Sequence, residues 1–152
     1  RQRRDTAGLA GHALKVGVMK DEGDAVAARP HVAFDAMAGG DGGVEGRHAR
    51  YAANCKILVD GMRALGFETL LPVDLQAPII VTFKMPADKA FDFQAFYDAL
   101  AGRGYVIYPG KLTVAPSFRI GCIGQLRASE MQGALKAITD VMKEMGVESG
   151  KS

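Results

Sequence analysis

The chain has no tryptophan, only two cysteines, and no strong excess of either charge. Cys55 and Cys122 lie far apart in sequence, with no CxxC pair or Cys/His cluster beside either. A zinc site or disulfide framework is therefore not indicated, and two reduced, buried thiols are expected. Lys and Arg number 19 against 17 Asp and Glu, a formal charge of +2. That falls short of the excess found where phosphate backbones supply the binding energy, so a nucleic-acid partner is disfavoured. No apolar run approaches the roughly 20 residues needed to span a bilayer, and no apolar stretch follows Arg1, Arg3 and Arg4 as it would in a signal peptide. The reading is a soluble, cytoplasmic protein with no membrane partner. What is present is 152 residues, 48% of them hydrophobic. This suffices for one core but not for a second full domain, and is short for most complete cofactor-dependent enzymes. The first residue is Arg rather than Met, which suggests a fragment or a processed product.

Residues 1–41 read as an irregular, glycine-rich segment, with loop, a short helix around 30–37 and some disorder, running into the cluster Gly39-Gly40-Asp41-Gly42-Gly43. From Arg47 the pattern is regular. Tyr51, Cys55, Leu58, Met62 and Leu65 recur at helical steps, Gly66 supplies a left-handed stop, and Phe67 folds back on the last turn. Pro78-Ile79-Ile80-Val81-Thr82-Phe83 reads as a largely buried strand. Asp92 caps a second helix carrying Phe93, Phe96, Tyr97 and Leu100, closed by Gly102 and Gly104. A strand follows at 105–108 and another at 117–124, and Ser129 is expected to cap a last helix with Met131, Ala134, Leu135, Ile138, Val141, Met142 and Met145 inward, stopped by Gly146. The order α-β-α-β-β-α over residues 42–152 argues for an α+β fold, a small mixed or antiparallel sheet with helices packed on one face.

The sharpest candidate for chemistry is Arg119, within Phe118-Arg119-Ile120-Gly121. A guanidinium in an apolar strand must find an anion or bear a large desolvation cost, and its planar fork of donors suits carboxylate, phosphate or phosphonate. The competing expectation is that it pairs with an acid of its own domain or faces water. Tyr108-Pro109-Gly110-Lys111-Leu112-Thr113 departs from the phosphate-loop pattern and reads as a Pro-Gly turn with Lys111 on the surface. His12, His31 and His48 have no partners at metal or triad spacing and Ser117 has no identifiable base, so acyl transfer and metal hydrolysis have no support. Arg47, His48 and Arg50 read as a basic first turn of the first helix, serving an anion, a partner or only solvent.

Several runs in order resemble one family. They are Gly42-Gly43-Val44, Arg47-His48-Ala49-Arg50-Tyr51, Gly61-Met62-Arg63-Ala64-Leu65-Gly66-Phe67 with Leu70-Leu71-Pro72, and Leu75-Gln76-Ala77-Pro78-Ile79-Ile80-Val81-Thr82-Phe83. Residues 93–97, the Gly104-Tyr105-Val106-Ile107-Tyr108-Pro109-Gly110-Lys111-Leu112-Thr113 run and Phe118-Arg119-Ile120-Gly121-Cys122-Ile123-Gly124 complete the match. Together, over about residues 42–146, they resemble the C-terminal portion of the 2-aminoethylphosphonate–pyruvate transaminases, class V, fold-type I aminotransferases dependent on pyridoxal phosphate. The resemblance implies a small C-terminal domain packed against a large cofactor-binding domain in a homodimer. It also implies that Arg119 holds the anionic end of the substrate, the phosphonate of the amino donor or the carboxylate of pyruvate and alanine.

The family's Schiff-base lysine, its pyridine-pairing Asp and its ring-stacking residue lie in the large domain, outside this sequence. Lys56, after Asn54-Cys55, sits mid-helix and matches the cofactor lysine only by accident. Pro30-His31-Val32 faintly resembles the family's Thr-Pro-Pro-Thr-His segment, with Ala28 and Arg29 in place of its first residues, and residues 1–29 match nothing. A truncated, rearranged or frame-shifted segment would account for this. The expectation is a substrate-orienting domain of a parent that converts 2-aminoethylphosphonate and pyruvate into phosphonoacetaldehyde and alanine. The chain alone is expected to bind no cofactor and to be inactive; the rival expectation is a stand-alone α+β module that binds a partner or a small anion.

Overall fold

The computed structural model describes residues 42–110 and 115–152. The glycine-rich segment 1–41, with its short helix at 30–37, and Lys111, Leu112 and Thr113 lie outside the described residues. Among the described residues the elements follow in the order α1 (Gly43–Ala64), β1 (Ile80–Lys84), α2 (Phe93–Gly102), β2 (Tyr108–Pro109), β3 (Ser117–Gly121) and α3 (Ala128–Met145), with a 3-10 turn at Val73–Leu75. This is the order the hydrophobic pattern gives. The sheet is antiparallel throughout, in the order β1-β3-β2, so the last strand in sequence is central.

Burial along the strands alternates where a continuous apolar run suggested burial on both sides. In β1, Val81 and Phe83 are fully buried while Ile80, Thr82 and Lys84 are half-buried, and Ile79 lies before the strand, half exposed. The period of two puts one face of the sheet on the core and turns the other away from it. The core face centres on Phe118 of β3, whose ring packs at centroid distances of 5.7 Å on Phe67, 5.8 Å on Phe83, 5.7 Å on Phe96 and 6.1 Å on Phe93. Edge and tilted contacts of this kind add to the area each ring buries. Leu58 and Met62 of α1, Leu100 of α2 and Met131, Ile138 and Val141 of α3 complete it.

The helix ends follow the expected chemistry at some points and depart from it at others. Gly66 and Gly146 both take left-handed backbone, and the Phe67 amide returns to the Met62 carbonyl at 3.0 Å. Asp92 accepts from the Ala95 amide at 2.7 Å, the expected cap of α2. α1 starts at Gly43, one turn before Arg47, so Arg47, His48 and Arg50 fall past its first turn and Glu45 occupies the end that favours negative charge. α3 starts at Ala128, so Ser129 is inside the helix rather than at its cap. The Glu130 carboxylate, in the third position of the helix, reaches back to accept from the Arg127 amide at 2.7 Å and so closes the helix start ahead of Ser129. The strand expected at 105–108 shrinks to Tyr108–Pro109, and that expected at 117–124 ends at Gly121, because the chain then turns toward α1. Among the described residues no helix is long and apolar enough to cross a membrane.

Candidate functional site

Arg119 lies at the middle of the central strand, directly between Thr82 of β1 and Tyr108 of β2. Its neighbours along the chain, Phe118 and Ile120, enter the core, so the pleat turns Arg119 to the face away from it. There it is half-buried rather than fully enclosed. Its Nη2 donates to the Pro109 carbonyl at a long 3.4 Å, and its Nε is buried without a hydrogen-bond partner. No carboxylate pairs with it among the described residues, where the salt bridges are Lys56–Asp60, Lys84–Glu68, Arg103–Glu144 and Lys136–Asp140. The expectation that an acid of its own domain neutralises Arg119 is thus not met. A cation with a buried donor left over is suited to receive an anion.

Thr82 and Tyr108, opposite Arg119 in register, share its face, and Ser117 lies two residues before it on the same side. The sequence singled out neither Thr82 nor Tyr108 for chemistry; the only signal was the pairing register, which needs the strand order. Ser117 is 1% exposed and its hydroxyl has no partner, so the structure gives it no base.

The loop after β3 is tied to α1. Asn54, 1% exposed, donates from Nδ2 to the Leu126 carbonyl at 2.9 Å and to the Cys122 carbonyl at 3.4 Å. One turn earlier, Arg50 donates from Nη2 to the Gly124 carbonyl at 2.9 Å, with its guanidinium 5.4 Å from the Tyr51 ring centre. Part of the basic cluster is therefore structural. Cys55 and Cys122, distant in sequence, are buried as neighbouring free thiols. Burial pushes both upward from the ordinary thiol value, and the Cys55 sulfur raises Cys122 further. Neither is an activated nucleophile.

Three of the described lysines are engaged in ion pairs. Lys56 on α1, Lys84 at the end of β1 and Lys136 on α3 are each held by a carboxylate at 2.6–2.8 Å on the surface. A groove of about 540 Å³ runs between α1 and the 69–78 segment, lined among others by His48, Val59, Arg63, Leu71 and Gln76, and Arg119 is not part of it. Chemically, the half-buried guanidinium of Arg119 can hold an anion on this face of the sheet.

No protein-family profile matches the chain. Over 107 residues, 70% of its length, it is 57% identical to a 2-aminoethylphosphonate–pyruvate transaminase of Burkholderia mallei, of which it covers 29%. The chain spans less than a third of the length of the relatives it matches. Among solved structures it is similar to ureidoglycine–glyoxylate aminotransferase of Bacillus subtilis (TM-score 0.63, 22% identity), covering 70% of this chain and 28% of that one. Pyridoxamine–pyruvate aminotransferase of Mesorhizobium loti gives a TM-score of 0.56 at 25% identity, covering 67% and 28%. A further neighbour, SPT with pyridoxal phosphate as internal aldimine, gives 0.52 at 22% identity, covering 66% and 25%. The α+β fold with a small antiparallel sheet is therefore that of a part of aminotransferases, a group whose cofactor is pyridoxal phosphate.

Proposed function

We propose that this chain, a relative of aminotransferases over 70% of its length, is the substrate-orienting C-terminal domain of a 2-aminoethylphosphonate–pyruvate transaminase. The observation that carries the proposal is Arg119, a half-buried guanidinium with an unpartnered Nε and, among the described residues, no carboxylate paired with it. Its fork of donors takes the phosphonate of the amino donor or the carboxylate of pyruvate and alanine, and holds the reacting end of the substrate in register with a cofactor outside this chain. When bound in the parent protein, pyridoxal phosphate supplies the electron sink for amino transfer. This chain contributes orientation and charge.

The partner is the large cofactor-binding domain, in a cytoplasmic homodimeric parent. Support comes from the exposed apolar side chains Leu71, Val73, Leu75 and Ile79 before β1, and from the match covering only 29% of the relative's length. They favour a domain that packs against a larger body over a stand-alone module. Alone, the chain binds no cofactor and does not transaminate. Titration of the chain with 2-aminoethylphosphonate tests the Arg119 assignment: binding should be lost in Arg119→Ala, and equal binding by both forms would remove Arg119 from the site. A visible absorption band after addition of pyridoxal phosphate, removed by borohydride and mapped to one lysine, would refute the cofactor statement.

A further inference from the structure

The carbonyl that receives Arg119 belongs to Pro109, and the next residue is Gly110. A Pro-Gly pair ordinarily owes its glycine to a left-handed backbone. Gly110 is not among the glycines of positive φ, so its backbone conformation alone does not demand glycine. Space is the obstacle. A Cβ at 110 would overlap the Ser117 carbonyl oxygen, its carbonyl carbon and its hydroxyl. Two of those atoms are backbone of the central strand and do not yield as a side-chain tip would. The close approach is also bonded, since the Gly110 amide donates to the Ser117 carbonyl at 2.8 Å. β2 itself is only two residues long, so this contact is a large part of what holds Pro109 against β3.

We infer that Gly110 is a positioning residue for Arg119: by letting the turn close onto Ser117, it places the Pro109 carbonyl where it takes Nη2 and so sets the direction of the rest of the guanidinium. The residue pairs line up on one small patch. Ser117 carries the turn, Pro109 and Gly110 are consecutive in it, and Arg119 is two residues beyond Ser117 on the same strand face. With one Nη2 donor engaged by Pro109, the orientation of the guanidinium is set and its remaining donors, Nη1 foremost, are left for an incoming anion. Any side chain at 110 lifts the turn, moves the carbonyl, and leaves Arg119 to swing in solvent. The inference rests on Arg119 as the anion-holding group.

The test uses the 152-residue chain, isotopically labelled, in the wild-type, Gly110→Ala, Ser117→Thr and Arg119→Ala forms, with 2-aminoethylphosphonate and inorganic phosphate as probes. The expected result is a folded Gly110→Ala protein whose Arg119 Nε–Hε resonance is displaced and whose affinity for both probes falls about tenfold, as mispositioning of a binding group does. Ser117→Thr presses the same contact from the strand side and should displace the same resonance. A folded Gly110→Ala with unchanged resonance and affinity overturns the inference. So does loss of folding in both Gly110→Ala and Ser117→Thr, which would assign the contact to stability alone. If the wild type binds neither probe, the anion role of Arg119 fails, while the resonance still decides whether Gly110 places the guanidinium.

Discussion

Asn54 donates its side-chain amide to the carbonyl of Leu126, 72 residues away, and thereby ties the middle of the first helix to the loop that leaves the central strand. The same nitrogen also reaches the Cys122 carbonyl. Truncation to alanine leaves both carbonyls without this donor in a buried place. Asn54→Ala should lower stability by about 1–3 kcal/mol, read from the urea midpoint at constant slope. A loss under about 0.5 kcal/mol would show that solvent or a neighbour satisfies the loop equally well.

Ser117 should respond in the opposite sense. Its hydroxyl is buried and unpartnered, so it carries a desolvation cost with no hydrogen bond to offset it. Ser117→Ala removes that cost and keeps the small side chain that the Gly110 contact requires. Its melting temperature should equal or exceed that of the wild type, by an amount equivalent to at most about 1 kcal/mol. A clear decrease would reveal a partner for the hydroxyl.

The start of α3 should loosen on the acid side. The bond from the Arg127 amide, the first cause, holds the Glu130 carboxyl below its ordinary value, against a smaller opposing effect of burial. A carboxylate depressed in the folded state contributes its stabilisation above its unfolded value and loses it as pH falls through the folded one. Exchange protection of the first amides of α3 should therefore decline over that acid range. Glu130→Gln should flatten the dependence there; a profile identical in both proteins would assign the acid loosening to other carboxylates.

The two thiols should be silent in the native protein. Cys55 is 7% exposed and Cys122 fully buried, and burial raises both, so little thiolate forms at neutral or mildly alkaline pH. Because the folded values lie above the unfolded ones, deprotonation at high pH favours unfolding, and stability should decline as pH rises past the ordinary thiol range. A chromogenic disulfide reagent should titrate no thiol before unfolding and two after it. Rapid labelling of the native chain would contradict the burial.

The helices and their order were legible in the sequence because periodicity and stop glycines act locally. Cys55, Leu58 and Met62 on α1, Phe96 and Leu100 on α2, and Met131, Ile138 and Val141 on α3 are where the pattern puts them. Exact boundaries were less legible, as at Ser129, which lies inside a helix whose start is fixed by the Glu130 carboxylate on the Arg127 amide. Asn54 gave no signal, because a polar residue among apolar ones reads as a solvated position until its acceptors, brought by a distant loop, are known. Arg119 stood out as a charge in an apolar strand, but its lack of an acidic partner depends on what the other strands carry. The nearness of Cys55 to Cys122 is likewise a property of the closed fold.

The sheet that carries Arg119 has its two faces assigned to different tasks by the pleat alone. Inward positions such as Val81, Phe83, Phe118 and Ile120 are constrained in volume by one another, whereas Thr82, Arg119 and Tyr108 form a row that the core never meets. Exchanges along that row can alter charge, reach and hydrogen bonding without repacking a single ring. If Arg119 holds the anion as proposed, a scaffold divided in this way lets selection retune that anion while folding is left nearly untouched.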